Sequence, residues 1–248
     1  MITYALGTGV SGDTVAHLSV VASDGQVVRT FSGPGTSGIH RVAWDLRYDR
    51  APGVTDTDEG WFGTPRGAWV VPGRYTVTLE ARGRRVSQSV DVSPDDRIEV
   101  AASAPVDRHT AERRLARLMG SFNDGVQVFQ KMGAERRRIE EAIKDQPARR
   151  DSLAPLMKAV TQKLDSLGGR FRPGFGGPKF GFLDLDGAIQ ASSTGLTEAQ
   201  QRTIDHLASR LRDDITGLNA LLTGDFAALQ RRAAGVVGGI TPVEIPER

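Results

Sequence analysis

From Ile2 to about residue 100, apolar and polar positions alternate one by one, and from about residue 107 they recur at steps of three and four. Alternation belongs to a strand with one buried face, and three-and-four spacing to a helix with one apolar stripe. The first region divides into ITYAL at 2–6, VAHLSVVA at 15–22, QVVRTFSG at 26–33, GIHRVAWDL at 38–46, RYTVTLEAR at 74–82 and RVSQSVDVS at 85–93. Ser23-Asp24-Gly25 is a turn signal between the second and third, and Gly83 with its neighbours makes a tight hairpin between the last two. Short strands so punctuated predict an antiparallel β-sandwich over residues 1–100. By alternation Trp44 faces its interior. Residues 47–71 interrupt the pattern and carry Trp61, Phe62 and Trp69, which predicts a loop with its own small cluster, Trp69 covering the sandwich edge.

Residues 101–248 read as helices. Leu115, Leu118, Phe122, Val126, Phe129, Met132, Ile139 and Ile143 form one stripe, and its phase survives across Asn123-Asp124-Gly125, so the spacing predicts one long helix with a weak point there. A second helix carries Leu153, Leu156, Val160, Leu164 and Leu167, opened by Asp151 or Ser152 and stopped by Gly168-Gly169. A third opens at Thr197, whose spacing to Gln200 is that of a capping box, and carries Ile204, Leu207, Leu211, Ile215, Leu218 and Leu222. Gly224-Asp225 interrupts before a short last helix around Phe226 and Leu229. Amphipathic helices of this length need one another's apolar faces, which predicts an antiparallel bundle of about three helices with a Gly/Phe-rich crossover at 169–190.

Composition removes several chemistries. Among 248 residues there is no cysteine, so disulfides, thiolate metal sites and cysteine nucleophiles are excluded. With 32 basic and 30 acidic residues the net charge is +2, too small to steer the whole molecule toward nucleic acid or membrane. No apolar run approaches the ~18 residues of a membrane span, and the first twenty residues lack the basic start and apolar block of a signal peptide. A strand that opens at Ile2 is expected of a piece cut from a longer chain, in which case the missing leader says nothing about the parent.

Candidate chemistry is sparse. No HExxH, GxSxG or phosphate-loop motif occurs, so no catalytic, cofactor or metal residue is assigned. His17 and His40 lie on strands, where a structural role is expected, and His206 has no second ligand one turn away. TDTDEG, with Asp56, Asp58 and Glu59, opens like a calcium loop but lacks the later acidic ligand. RRLARL at 113–118 and ERRRIEE at 135–141 read as solvated faces with acid–base pairing along the helix, and Asp213 and Asp214 point apart. Trp61 and Phe62 are the candidate ligand contacts, for a sugar ring, against simple loop packing. RFRPGFGGPKFGF at 170–182 interleaves aromatic and basic residues as a single-strand nucleic-acid binder does. It contains only Arg170, Arg172 and Lys179 as charges and joins two helices, so its phenylalanines are expected to anchor a crossover, with no nucleic acid bound.

ASDGQVVRTFSG at 22–33, HRVAWDLRY at 40–48 and VPGRYTVTLEARG at 71–83 together resemble the Ig-like domain typified by the flagellar hook-capping protein. The continuation through VSPDDRIEV, LTEAQQ at 196–201 and DFAALQRRAAGV to ITPVEIP is similar to the C-terminal region of bacterial exported proteins with a sortilin-like, sialidase-like β-propeller, often called glycosyl hydrolases. The chain departs from that group in its long 47–71 loop and its glycine- and phenylalanine-rich 170–182. The resemblance implies an α+β, multidomain fold, an Ig-like antiparallel β-sandwich followed by a helical bundle. It also implies an exported location, periplasmic or extracellular, and a neighbouring propeller of the same parent chain as partner. Catalytic residues of such a parent would lie in the propeller, so this part is expected to be a non-catalytic accessory module, a spacer or protein-interaction platform without cofactor. The alternative is a carbohydrate-binding module that uses the 47–71 aromatics on a glycan.

Overall fold

The computed structural model describes residues 1–8, 15–55, 63, 65–97, 99, 101–171, 178–192, 195–233 and 241–246. Six stretches with alternating apolar residues pair as antiparallel strands: β1 (Ile2–Leu6), β2 (Val15–Ala22), β3 (Val27–Pro34), β4 (Gly38–Val42), β5 (Gly73–Ala81) and β6 (Arg84–Val92). They make two sheets, one of β1 and β4 and one ordered β3-β2-β5-β6. Leu18 and Ala16 of β2 and Tyr4 of β1 share one buried apolar cluster, so the inner faces of the two sheets meet. The Tyr4 hydroxyl completes its burial by donating to the Pro34 carbonyl at 2.8 Å. Arg82 and Gly83 turn the β5–β6 hairpin with φ of 54° and 73°, the two-residue geometry whose twist matches that of the strands. β4 was expected to reach Leu46 and ends at Val42 instead. Leu46 takes φ of 59° and turns the chain out of the ladder, while Trp44 still enters the core, edge-on to Tyr75 at 5.6 Å.

The helical part begins at Ala104, with Pro105 in the first turn, where a missing N–H costs nothing. α1 (Ala104–Ile143) has 40 residues, about 60 Å at the usual rise. It passes through Asn123-Asp124-Gly125 unbroken, and tertiary contacts account for those turn-forming residues. Asn123 donates to the Pro52 carbonyl at 2.7 Å, and a Cβ on Gly125 would lie 2.5 Å from the Phe171 ring. α2 (Pro147–Phe171) starts earlier than Asp151 or Ser152 and is not stopped by Gly168-Gly169. Proline is suited to the first helical position. Past the glycines, burial of Leu167 and Phe171 one turn apart outweighs the roughly 1 kcal/mol that each glycine costs.

The crossover expected at 169–190 is largely a helix, α3 (Pro178–Ala191), so the helical part has a fourth long element. Phe182, Leu183, Asp186 and Ile189 are buried at helical spacing along it. Pro178 and Gly181 look like breakers in sequence, yet Pro178 stands at the first position and Gly181 faces Leu207 at close range. Of the four anchoring phenylalanines, Phe171 and Phe182 are fully buried, and Phe175 lies outside the described residues. α4 (Glu198–Leu221) opens with the expected capping box: Gln200 N donates to Thr197 Oγ1 at 3.2 Å and Thr197 N to Gln200 Oε1 at 2.9 Å. A wide turn at Leu222–Phe226, where Gly224 leaves helical geometry, leads into α5 (Ala227–Arg232). Residues 241–246 lie along α4, held where Asn219 exchanges two hydrogen bonds with the Val243 backbone. No helix among the described residues is long and apolar enough to cross a membrane.

The approach of α1 to α2 gives a direct test. Gly125→Ala forces a methyl against the Phe171 ring and is expected to destabilise the protein by about 1–3 kcal/mol in urea unfolding, the usual range for overpacking. The loss should shrink when Phe171→Leu makes room.

Candidate functional site

The sheets and helices meet at the segment that follows β4. Leu46, in its left-handed conformation, aims the next side chain, Arg47, at the helices. Tyr48 N donates to Ala68 O at 2.8 Å and Val70 N to Leu46 O at 2.9 Å, so the two ends of the 47–70 loop run antiparallel, with Arg47 opposite Trp69. Gly67 lets them close up: a Cβ there would collide with the Tyr48 carbonyl oxygen.

Arg47 is only 5% exposed. Its guanidinium donates to Gly67 O at 2.9 Å and to Gln190 Oε1 at 2.6 Å, and it lies 3.7 Å above the Trp69 ring. α1 then holds both backbone groups of Trp69. Glu112 Oε2 accepts its N–H at 2.7 Å, and His109 Nδ1 donates to its carbonyl at 2.8 Å. A carbonyl can only accept, which places the neutral ring's proton on Nδ1. His109 also packs on Tyr48, with Arg113 across that ring at 4.5 Å. From α3, Gln190 Nε2 donates to Asp186 Oδ2 at 2.7 Å and to Arg66 O at 3.2 Å. One loop is thus clasped between α1 and α3 by Arg47, Glu112, His109, Asp186 and Gln190.

Burial dominates the electrostatics. It pushes the Glu112 carboxyl up to about 7, against the opposing pull of the Trp69 N–H, Arg108 and Arg47. Burial, and then the neighbouring Glu112, push Asp186 to about 8. Burial also lowers Arg47 and His109. Both carboxyls therefore hold protons near neutral pH, where exposed ones would have lost them. Arg47 Nε, Arg108 Nε and Glu112 Oε1 are buried without a hydrogen-bond partner.

Beside the clasp lies a cleft of about 320 Å³ whose wall includes Arg47, Arg66, Leu183, Asp186 and Gln190. Asp186 is the one acid on that wall among the described residues, and the Glu112 side chain has no exposed surface. Hydrolysis of a glycosidic bond by a carboxyl pair needs both groups to face the same bond, and the described residues do not offer that.

Arg47, Glu112 and Asp186, far apart in sequence, converge at the seam between the sheets and the helices. Trp69, expected on the sheet edge, instead lies under Arg47 and against α1. Trp61, Phe62, Asp56, Asp58 and Glu59 lie outside the described residues, as does Arg172. His17 and His206 are exposed, and His40 hydrogen-bonds to the Thr36 carbonyl at 2.9 Å. Asp214 pairs with Arg170, and Arg114 with Asp205. Arg136 pairs with Glu140 as helical spacing suggests, but Glu135 is not on a solvated face: it is buried, with Arg138 as partner. Glu112, Glu135 and Asp186 share a signal that could have found them. Each occupies a core step of its stripe, three residues from Leu115, Met132 and Leu183 respectively, and an acid buried at such a step must find a hydrogen-bonding partner. Among the described residues no group of His, Asp and Glu is arranged to hold a metal ion. No known protein family, curated protein or solved structure matches the chain.

The raised carboxyls make stability depend on pH. Between the unfolded and folded values of each group the folded protein binds more protons, so unfolding free energy falls as pH rises, until about 8 for Asp186. The lowered His109 acts in the opposite sense, but only below about 6.5. Between pH 6.5 and 8.5, urea unfolding should therefore show a loss of about 1–2 kcal/mol, and Asp186→Asn should remove most of it.

Proposed function

We propose that this chain is a non-catalytic accessory module: an Ig-like sandwich and an antiparallel helical bundle joined as one rigid spacer and protein-interaction platform. In this reading it serves a bacterial exported protein of the sortilin-like, sialidase-like propeller kind, and its first partner is the propeller of the same parent chain. The observation that carries the proposal is the clasp around Arg47. Arg47 and Glu112 bind the loop's backbone, Gln190 links Arg47 to Asp186, and Glu112 is closed off from the neighbouring cleft. Groups so engaged fix the angle between two layers, which is what a spacer requires. A glycosidase of the usual two-carboxylate kind requires instead two carboxyls open to one bond.

The experiment offers the purified chain chromogenic glycosides and sialosides from pH 4 to 9, a glycan array, and the separately produced propeller of a parent protein. The proposal expects no turnover, no glycan signal, and calorimetric binding to the propeller. Turnover that disappears in Asp186→Asn, or glycan binding that disappears in Trp61→Ala, contradicts it.

A further inference from the structure

Among the described residues strand β6 is an open edge, pairing only with β5, in an uninterrupted register from Ala81↔Arg84 to Gly73↔Val92. Arg84–Val90 are all exposed, and the strand contains no proline or bulge; of the features that guard a sheet edge it carries charges, Arg84, Arg85 and Asp91. The opposite edge, β3, differs. A register shift interrupts its pairing with β2, its Val28 carbonyl accepts from Asp49 N, and it ends at Pro34. In a two-residue hairpin the residues flanking the turn form a hydrogen-bonded pair, and bonded and non-bonded pairs then alternate. Arg84, Val86, Gln88, Val90 and Val92 therefore bond to β5, while the backbone groups of Arg85, Ser87, Ser89 and Asp91 point outward.

The outward strand is nearly a palindrome: Arg85-Val86-Ser87-Gln88-Ser89-Val90-Asp91 reads the same from either end, except that the ends carry opposite charges. We propose that β6 is a homodimerisation edge, in which two copies of this chain pair their β6 strands antiparallel about a two-fold axis at Gln88. The pairing puts Arg85 opposite the second copy's Asp91, Ser87 opposite Ser89 and Val86 opposite Val90. The outward residues 85, 87, 89 and 91 become the hydrogen-bonded pairs, giving about eight backbone bonds. Charge complementarity selects a second copy over an arbitrary strand. Within one chain Arg85 already pairs with Glu80 at 3.3 Å and Asp91 with Arg74 at 2.8 Å. Joining two sheets would extend these into rows of alternating sign: Glu80, Arg85, the second Asp91, the second Arg74. On the other face Val86 and Val90, 65% and 37% exposed, line a groove of about 620 Å³ beside β1. Across the axis each valine would meet the other's counterpart in a non-bonded pair, where side chains approach most closely.

Sedimentation equilibrium of the purified chain tests this together with two single variants, R85D and D91R. Wild type is expected to dimerise at micromolar concentration. Each variant alone places like charges opposite each other at both ends of the interface and should be monomeric, with unchanged circular dichroism. An equimolar mixture restores both opposite-charge pairs and should dimerise again, a rescue that a folding defect cannot produce. Ser89→Pro, which removes an outward N–H and leaves the β5 ladder intact, should also give a monomer. A wild type that stays monomeric, a dimer indifferent to these substitutions, or a mixture that does not recover overturns the proposal.

Discussion

A guanidinium taken out of water must find hydrogen-bond acceptors where it stops, or the structure that buries it will not form. Arg47 is so buried, and its acceptors belong to two different parts of the molecule: the Gly67 carbonyl in its own loop and the Gln190 side chain on α3. Arg47 thereby ties its loop to α3, and Trp69, opposite it, ties the same loop to α1. Leu46 accepts an uncommon backbone angle to aim it, and Gly67 gives up a side chain to let its acceptor approach.

Two acids are buried beside it. Glu112 and Asp186 are held near neutrality by burial rather than by one strong ion pair. Burial favours their protonated forms, so they join Arg47 through its hydrogen-bonding neighbours, Gln190 and the Trp69 backbone, and not as fixed ion pairs. The unpartnered Glu112 Oε1 and Arg47 Nε mark where the joint is less than fully satisfied. They stand in the seam between α1 and the loop. That joint holds the helices beside the sheets, while the outward edge of β6 pairs with no other strand among the described residues.

Much of this architecture was legible in the residue pattern. β2 spans the predicted residues, because a strand with one buried face writes its register into alternate positions. The α4 capping box follows from Thr197 and Gln200 alone, since its bonds are local. Legibility failed where distant partners decide. Gly125 and Asn123 look like a turn until Phe171 and Pro52 are in place, and Pro178 and Gly181 look like a loop until Phe182 and Ile189 are buried together. The seam was hidden for the same reason: Arg47, Glu112 and Asp186 are far apart in sequence, and only the fold brings them to one point. The acids did leave a trace, as charged residues on otherwise apolar stripes.

The most direct measurement is differential scanning calorimetry of the intact chain beside its Arg47→Met variant, which keeps an unbranched stem and removes the guanidinium. If the clasp makes one body of sheets and helices, wild type unfolds in a single transition whose calorimetric and van't Hoff enthalpies agree. The variant then unfolds in two steps, the sheets separately from the helices. Two transitions already present in wild type, or one unchanged transition in the variant, would contradict the account.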